Sequence, residues 1–151
     1  MKIINTAIEG VYIIEPQVFE DNRGYFFESY NKQKMDEAGL KYDFIQDNQS
    51  MSKYGTIRGI HFQKGDFAQA KLVRVLEGTV LDVAVDLRKG SKTFGKHVAV
   101  ELSAENKRQL MIPRGFGHGF SVLSETAVFT YKCDNCLLYT SPSPRDISGS
   151  R

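Results

Sequence analysis

Two short segments of the sequence combine histidine with glycine and basic residues. The first is Arg58-Gly59-Ile60-His61-Phe62-Gln63, and the second is Ile112-Pro113-Arg114-Gly115-Phe116-Gly117-His118-Gly119-Phe120. Glycine near each histidine lets another group approach the backbone closely. Because an imidazole takes up and releases a proton near neutral pH, His61 and His118 are candidates for proton-transfer chemistry.

Whether these segments hold a metal depends on the residues that accompany the histidines. The segments resemble the two motifs of cupins, in which a His-x-His pair, a Glu and a later His bind a divalent ion. At those positions this sequence has His61, Gln63, Lys71 and His118. An ammonium in place of the carboxylate adds charge repulsion, and an amide replaces imidazole poorly. The residues therefore predict a site without a metal, where two imidazoles and a cation move protons and stabilise an oxyanion.

A carboxylate that could support a histidine lies in the segment Leu81 to Leu87. Its alternation puts Asp82 and Asp86 on one face with Ala84, opposite an apolar face. In a barrel, a polar inward face suggests a ligand cavity. Asp82 is thus the candidate partner of a histidine, with His118 favoured.

The elements that must position these residues are mostly strands. Short runs rich in Val, Ile, Phe and Tyr recur between turn residues, which predicts an all-β sandwich or barrel. One short helix is predicted near 31–39, with Asn31 as N-cap and Met35 as its apolar anchor. Glu77-Gly78 is predicted to join two strands as a tight hairpin. The predicted strands are Val11 to Phe19, Tyr25 to Tyr30, Phe44 to Ser50, Thr56 to Gln63, Lys71 to Leu76, Thr79 to Leu87, His97 to Leu102, Lys107 to Ile112, Phe116 to Leu123 and Ala127 to Cys133.

Length and charge narrow the class of protein. A chain of 151 residues with 41% hydrophobic residues is long enough for one globular core. Its net charge of +2, spread along the chain, argues against a nucleic-acid partner. No apolar run approaches the length of a membrane span, and the N-terminus has no signal-peptide pattern. We therefore expect no membrane association and a cytoplasmic location.

The sequence changes character at Cys136. Ser and Pro dominate the middle of the segment that follows, and neither alternation nor helical periodicity is present. This segment resembles a translated sequencing adapter, so we expect a domain at 1–135, incomplete at its C-terminus, and a non-native tail at 136–151. The polypeptide as written is expected to be poorly stable or inactive, because losing the natural C-terminal segment exposes barrel edge and apolar surface. Cys133 would be the one remaining cysteine, with a structural role.

Four segments, in order, resemble the dTDP-4-dehydrorhamnose 3,5-epimerase family, sugar-nucleotide cupins of deoxysugar biosynthesis. The segments are Glu20 to Ser29, Phe44 to Asn48, Ile57 to Gln63 and Ile112 to Phe120. This resemblance implies a cupin fold, that is, a double-stranded β-helix or jelly-roll barrel. It also implies a dTDP-sugar substrate, no cofactor, and a homodimer with N-terminal strand exchange.

The same resemblance implies roles for individual residues. His61 would be the general base, Tyr131 the general acid, and Lys71 would sit beside the C4 keto oxygen. The aspartate that pairs with the base lies in the C-terminal part of the family, which we expect this chain to lack. Six further positions match substrate-contacting ones, and their arginines suit a diphosphate. These are Arg23, Glu28, Gln46, Asn48, Arg58 and His118.

Other functions stay open from the sequence. A related sugar-nucleotide cupin could act as a 3-epimerase or a 3,4-ketoisomerase, although retaining both His61 and Tyr131 favours epimerisation at two centres. Tyr131 could also serve only to pack the core. Beyond these, the chain could be a non-catalytic sugar-binding cupin or a metal-dependent cupin.

Overall fold

The computed structural model describes residues 1–135, so the predicted tail at 136–151 lies outside the described part of the chain. In chain order the elements are β1 (Lys2–Asn5), β2 (Tyr12–Glu15), β3 (Val18–Asp21), β4 (Gly24–Phe27), α1 (Lys32–Glu37), β5 (Gln46–Lys53), β6 (Ile57–His61), a 3₁₀ turn (Gly65–Phe67), β7 (Lys71–Glu77), β8 (Thr79–Asp86), β9 (His97–Ser103), β10 (Gln109–Ile112), β11 (Phe116–Val122) and β12 (Thr126–Cys133).

Antiparallel pairing arranges the strands in two main sheets and one small ribbon. The larger sheet has the order β1-β2-β10-β7-β12-β5, and the smaller one has the order β6-β11-β8-β9. Among the strands of residues 1–135, β3 and β4 pair only with each other. The predicted all-β class is therefore confirmed.

The main core lies between the two sheets, because alternate residues on the strands point inward. On β8 the inward residues are Val80, Asp82, Ala84 and Asp86, all of them buried. Apolar side chains from both sheets meet them there, among them Val73, Val75, Val98, Val100, Leu110, Phe120 and Phe129. The aspartates thus occupy the interior, as their spacing predicts.

Helix α1 covers the outer side of the larger sheet. The Asn31 side chain accepts a hydrogen bond from the backbone N–H of Lys34 at 3.0 Å, which caps the helix as predicted. Met35 is 3% exposed and belongs to a second cluster with Leu72 and Met111. Within residues 1–135, none of the helices has the length and apolar character needed to span a membrane.

Two strand predictions were wrong. The predicted strand Val11 to Phe19 is divided at Pro16-Gln17, so that β2 joins the larger sheet and β3 joins the ribbon. Gly78 does not close a hairpin, because β7 and β8 belong to different sheets. It has φ +82°, and a Cβ there would collide with the carbonyl oxygen of Thr126. The chain thus crosses from one sheet to the other at Gly78.

Candidate active site

Neighbouring strands bring the two predicted histidines together. In the pairing of β6 with β11, His61 lies directly opposite His118. His118 is 4% exposed, whereas His61 is half-buried. Residues in such a cross-strand pair point to the same face of a sheet. The two imidazoles therefore belong to a single site.

Glycine allows β6 and β11 to approach each other closely. A Cβ on Gly59 would lie 2.6 Å from the carbonyl oxygen of His118, and a Cβ on Gly119 would lie 2.7 Å from that of Arg58. Both distances are shorter than a real Cβ contact. Glycine is therefore required at both positions so that the two neighbouring strands can approach each other.

Asp82 supports His118 from β8. Nε2 of His118 lies 2.7 Å from Oδ1 of Asp82, and the Asp82 side chain is fully buried. The ring of His118 also stacks on Phe129 at a centroid distance of 5.9 Å. A carboxylate in this position fixes the orientation of the ring. The other carboxylate oxygen, Oδ2, has no hydrogen-bond partner among the described residues.

Lys71 and Tyr131 lie on the larger sheet, and the Tyr131 ring contacts Phe129, on which His118 stacks. Nζ of Lys71 lies 5.3 Å from the centre of the Tyr131 ring. Burial holds the pKa of Lys71 below its usual value, while the nearby Cys133 and Asp82 oppose that shift. Tyr131 packs against the main core and is partly buried. The site therefore contains a desolvated cation beside a phenol.

Amide side chains continue the site onto β5. In the register of β12 with its neighbours, Cys133 lies between Lys71 and Gln46, and Tyr131 lies between Val73 and Asn48. The Asn48 amide donates to Sγ of Cys133 at 3.4 Å. Burial raises the pKa of the Cys133 thiol to about 11, so this free cysteine stays neutral.

Arg58 extends the site along β6. Its Nε donates to Oγ of Ser52 at 2.8 Å, and Ser52 is buried on β5. Ser52 was not predicted as a site residue. The sequence carries no clear signal for it, because β5 is polar on both faces apart from Met51. The structure shows that Gln46, Asn48, Ser50 and Ser52 form the less exposed face of this strand.

Arg23 and Glu28 lie apart from the other candidates. Arg23 stands at the turn of the β3–β4 ribbon, where its side chain is 86% exposed and pairs with Asp21 at 2.6 Å. Glu28 follows β4 and pairs with Lys34 of α1 at 3.0 Å. Within the described chain, the recorded ion pairs of both residues are local. The fold therefore unites His61, Lys71, Asp82, His118, Tyr131, Gln46, Asn48 and Arg58 but not these two.

Comparison with known proteins identifies the family. The family model described as dTDP-4-dehydrorhamnose 3,5-epimerase matches residues 5–148. The chain belongs to the dTDP-4-dehydrorhamnose 3,5-epimerase family. A member of this epimerase family from Salmonella typhimurium is 60% identical over 144 residues, which are 95% of this chain and 77% of the relative.

Solved structures of epimerases share the fold. A dTDP-6-deoxy-D-glucose-3,5-epimerase from Legionella pneumophila, in complex with dTDP-4-keto-L-rhamnose, matches with a TM-score of 0.88 and 51% identity over 93% of this chain and 74% of that one. A 3'-monoepimerase from Streptomyces bikiniensis, in complex with dTDP-quinovose, matches with a TM-score of 0.85 and 32% identity over 93% and 73%. The predicted cupin fold and epimerase family are confirmed.

Proposed function

We propose that the chain inverts C3 and C5 of dTDP-4-dehydro-6-deoxy-glucose to give dTDP-4-dehydro-L-rhamnose. The observation that carries the proposal is the partly buried, desolvated cation Lys71 beside Tyr131, which interacts with the Asp82 that supports His118, opposite His61. A cation and two kinds of proton-transfer group suit a reaction that forms an enolate and then protonates it from the other side. The family membership of the chain supports the same activity.

The proposed reaction uses the acidity of hydrogens next to the C4 ketone. Neutral His61 removes the proton at C3 or C5, and the electrons move into the carbonyl as the C4 oxygen becomes negative. Lys71 stabilises that oxygen by a charge-assisted hydrogen bond. Tyr131 then delivers a proton to the opposite face of the carbon as the electrons return from the oxygen. Proton exchange with water restores neutral His61 and the Tyr131 phenol before the second carbon reacts. Because the ketone accepts the electrons, the reaction as written needs no cofactor.

His118 and Asp82 serve this reaction as a coupled pair. Their 2.7 Å contact fixes the His118 ring, which presents its other nitrogen to the substrate. A carboxylate beside a histidine stabilises positive charge on the ring when a proton arrives. Gln46, Asn48 and Arg58 contact the substrate in this proposal, with Arg58 suited to the diphosphate.

Arg23 and Glu28 enter the proposal through a homodimer. Each lies outside the group formed by the other candidates, on a ribbon with exposed Phe19, Tyr25 and Phe26. If the ribbon of one copy packs on a second copy, Arg23 and Glu28 can reach the substrate bound there. The apolar exposure of the ribbon supports such a contact. We further propose that the enzyme works in the cytoplasm.

Solvent deuterium tests the proposed reaction. The enzyme is incubated with its substrate in D₂O, and label is located in the product by NMR. Label at both C3 and C5 is expected. Label at C3 alone would instead identify a 3-epimerase, and no label at either carbon in a protein that is folded and binds the dTDP-sugar would favour a sugar-binding protein without turnover. The His61→Asn variant should lose the exchange, because an amide cannot act as the base.

A further inference from the structure

The residue that follows β12 connects three strand ends of the candidate site. Oδ1 of Asp134 accepts a hydrogen bond from the backbone N–H of Ala70 at 2.7 Å. Its own N–H donates to the Ala70 carbonyl oxygen at 3.3 Å. Oδ2 accepts from Nε of Arg114 at 3.0 Å. One carboxylate thus contacts two segments that are distant in sequence.

Each of these contacts lies at the end of a strand that carries a proposed functional residue. Ala70 is fully buried and directly precedes Lys71. Arg114 lies in the turn before β11, the strand that carries His118, and β12 itself carries Tyr131. The Asp134 side chain is only 9% exposed, so water screens its bonds less than those of a surface pair.

We infer that Asp134 is a positioning residue that sets Lys71 and Tyr131 relative to His118. The inference rests on the proposed epimerase function. Proton transfer depends steeply on geometry, and a displacement of about 1 Å can cost about 100-fold in rate. The hydrogen bonds of Asp134 with Ala70 and Arg114 involve none of the proposed substrate-contacting groups. Asp134 therefore acts through the backbone of Ala70 and through Arg114.

The variants separate this role from a purely structural one. Asp134→Ala removes both contacts, whereas Arg114→Gln removes only the cation and leaves the bond to Ala70. Asp47→Ala is the matched control. The Asp47 carboxylate pairs with Lys132 of β12 at 3.0 Å, but its side chain is exposed. If Asp134→Ala does not fold, Arg114→Gln alone tests the inference.

The first readout is the ¹⁵N spectrum of the imidazole rings, which is simple because the chain has three histidines. Asp134→Ala and Arg114→Gln should shift the His118 signals and leave those of the exposed His97 unchanged. Asp47→Ala should shift neither. Wild-type His118 signals in both folded variants would overturn the inference, whether or not the protein is active.

The second readout is steady-state epimerisation. Asp134→Ala should lower kcat by about 10- to 100-fold with little change in KM, because positioning affects the transfer step more than substrate affinity. An unchanged kcat in an active protein would also overturn the inference. If the wild-type protein shows no exchange at C3 or C5, the proposed function fails, and the imidazole spectrum still decides the role of Asp134.

Discussion

Charged groups inside an apolar core are costly, and the buried Asp82 of this core is linked to the partly buried Lys71. Asp82 is fully buried, and its charge raises the pKa of Lys71 against the larger effect of burial. Removing one member of such a pair leaves an uncompensated charge, which costs several kcal/mol in typical proteins. Apolar residues would fill the same space at less cost. Keeping both charges is therefore better explained by chemistry than by stability.

Lys71 should be essential for the rate. Lys71→Met keeps the length of the side chain but removes the ammonium, so kcat should fall by about 10²- to 10³-fold, as when one oxyanion donor is lost. Because burial lowers the pKa of Lys71, wild-type activity should decline at a lower pH than an ordinary lysine pKa of 10.5 would give. The measurement is kcat/KM from neutral to alkaline pH.

Lys132→Met is the control for that prediction. Lys132 follows Tyr131 on β12, but its ammonium pairs with exposed Asp47. Its loss should leave kcat unchanged. If Lys71→Met retained most of the wild-type rate, the ammonium could not be the group that stabilises the enolate.

Asp82 should affect both the function of His118, which it contacts, and the pKa of Lys71, which it raises. Asp82→Asn keeps a hydrogen-bonding group near His118 but removes the charge, and kcat should fall on the order of 10²-fold. The same change removes the interaction that raises the pKa of Lys71, so the alkaline decline of activity should move to lower pH. A decline at the wild-type pH would show that Asp82 and Lys71 are not coupled. The pH profile of kcat measures this directly.

At the scale of elements, the contact between β6 and β11 should tolerate no side chain at Gly59. This residue has φ +105°, and a Cβ would meet backbone atoms of His118 and Gly119 at 2.6 and 2.8 Å. Backbone strain costs about 1–2 kcal/mol and overpacking about 1–3 kcal/mol. Gly59→Ala should therefore lower the free energy of unfolding by about 3 kcal/mol in urea denaturation.

A second glycine separates the cost of backbone strain from the cost of overpacking. Gly39 has φ +85°, but nothing lies within 4 Å of the point that a Cβ would occupy there. Gly39→Ala should therefore lose only the strain, about 1–2 kcal/mol. Equal losses in Gly59→Ala and Gly39→Ala would show that the two strands can move apart at little cost.

The elements differ in how far the sequence determines them. Helix α1 was predicted from its cap Asn31 and anchor Met35 because both signals are local. The break at Pro16-Gln17 and the crossing at Gly78 were missed, because strand-forming residues on either side of a break do not reveal which sheet each half joins. Strand β1 was missed as well. Four residues are too short for clear alternation, and β1 forms against the free edge of β2.

For the whole molecule, the sequence predicted which candidate residues come together, but not that Arg23 and Glu28 lie apart from them. His61, His118, Asp82 and Lys71 come together because alternation and motif spacing put them on inner faces. The position of Arg23 on a separate ribbon could not be predicted in this way, since it depends on how β3 and β4 leave the sheets. Motif matching identifies contact residues but does not say which copy of a chain supplies them.

Complementation between inactive variants tests whether two copies share each site. Arg23→Ala removes a proposed diphosphate contact, and His61→Asn removes the proposed base. If the ribbon reaches into a second copy, a mixed dimer has one intact site, which combines His61 of one copy with Arg23 of the other. Random exchange should then restore about a quarter of wild-type activity, because about half the dimers are mixed.

The exchange is performed by mixing the purified variants under mildly dissociating conditions, and epimerisation is measured after dilution. Mixing His61→Asn with Lys71→Met is the matched control, since both residues belong to the two sheets of one copy. In every dimer of that mixture, each site carries either His61→Asn or Lys71→Met, so no activity should return. Equal behaviour of the two mixtures would place Arg23 with His61 in the same copy, and the exposed aromatic side chains of the ribbon would then need another explanation.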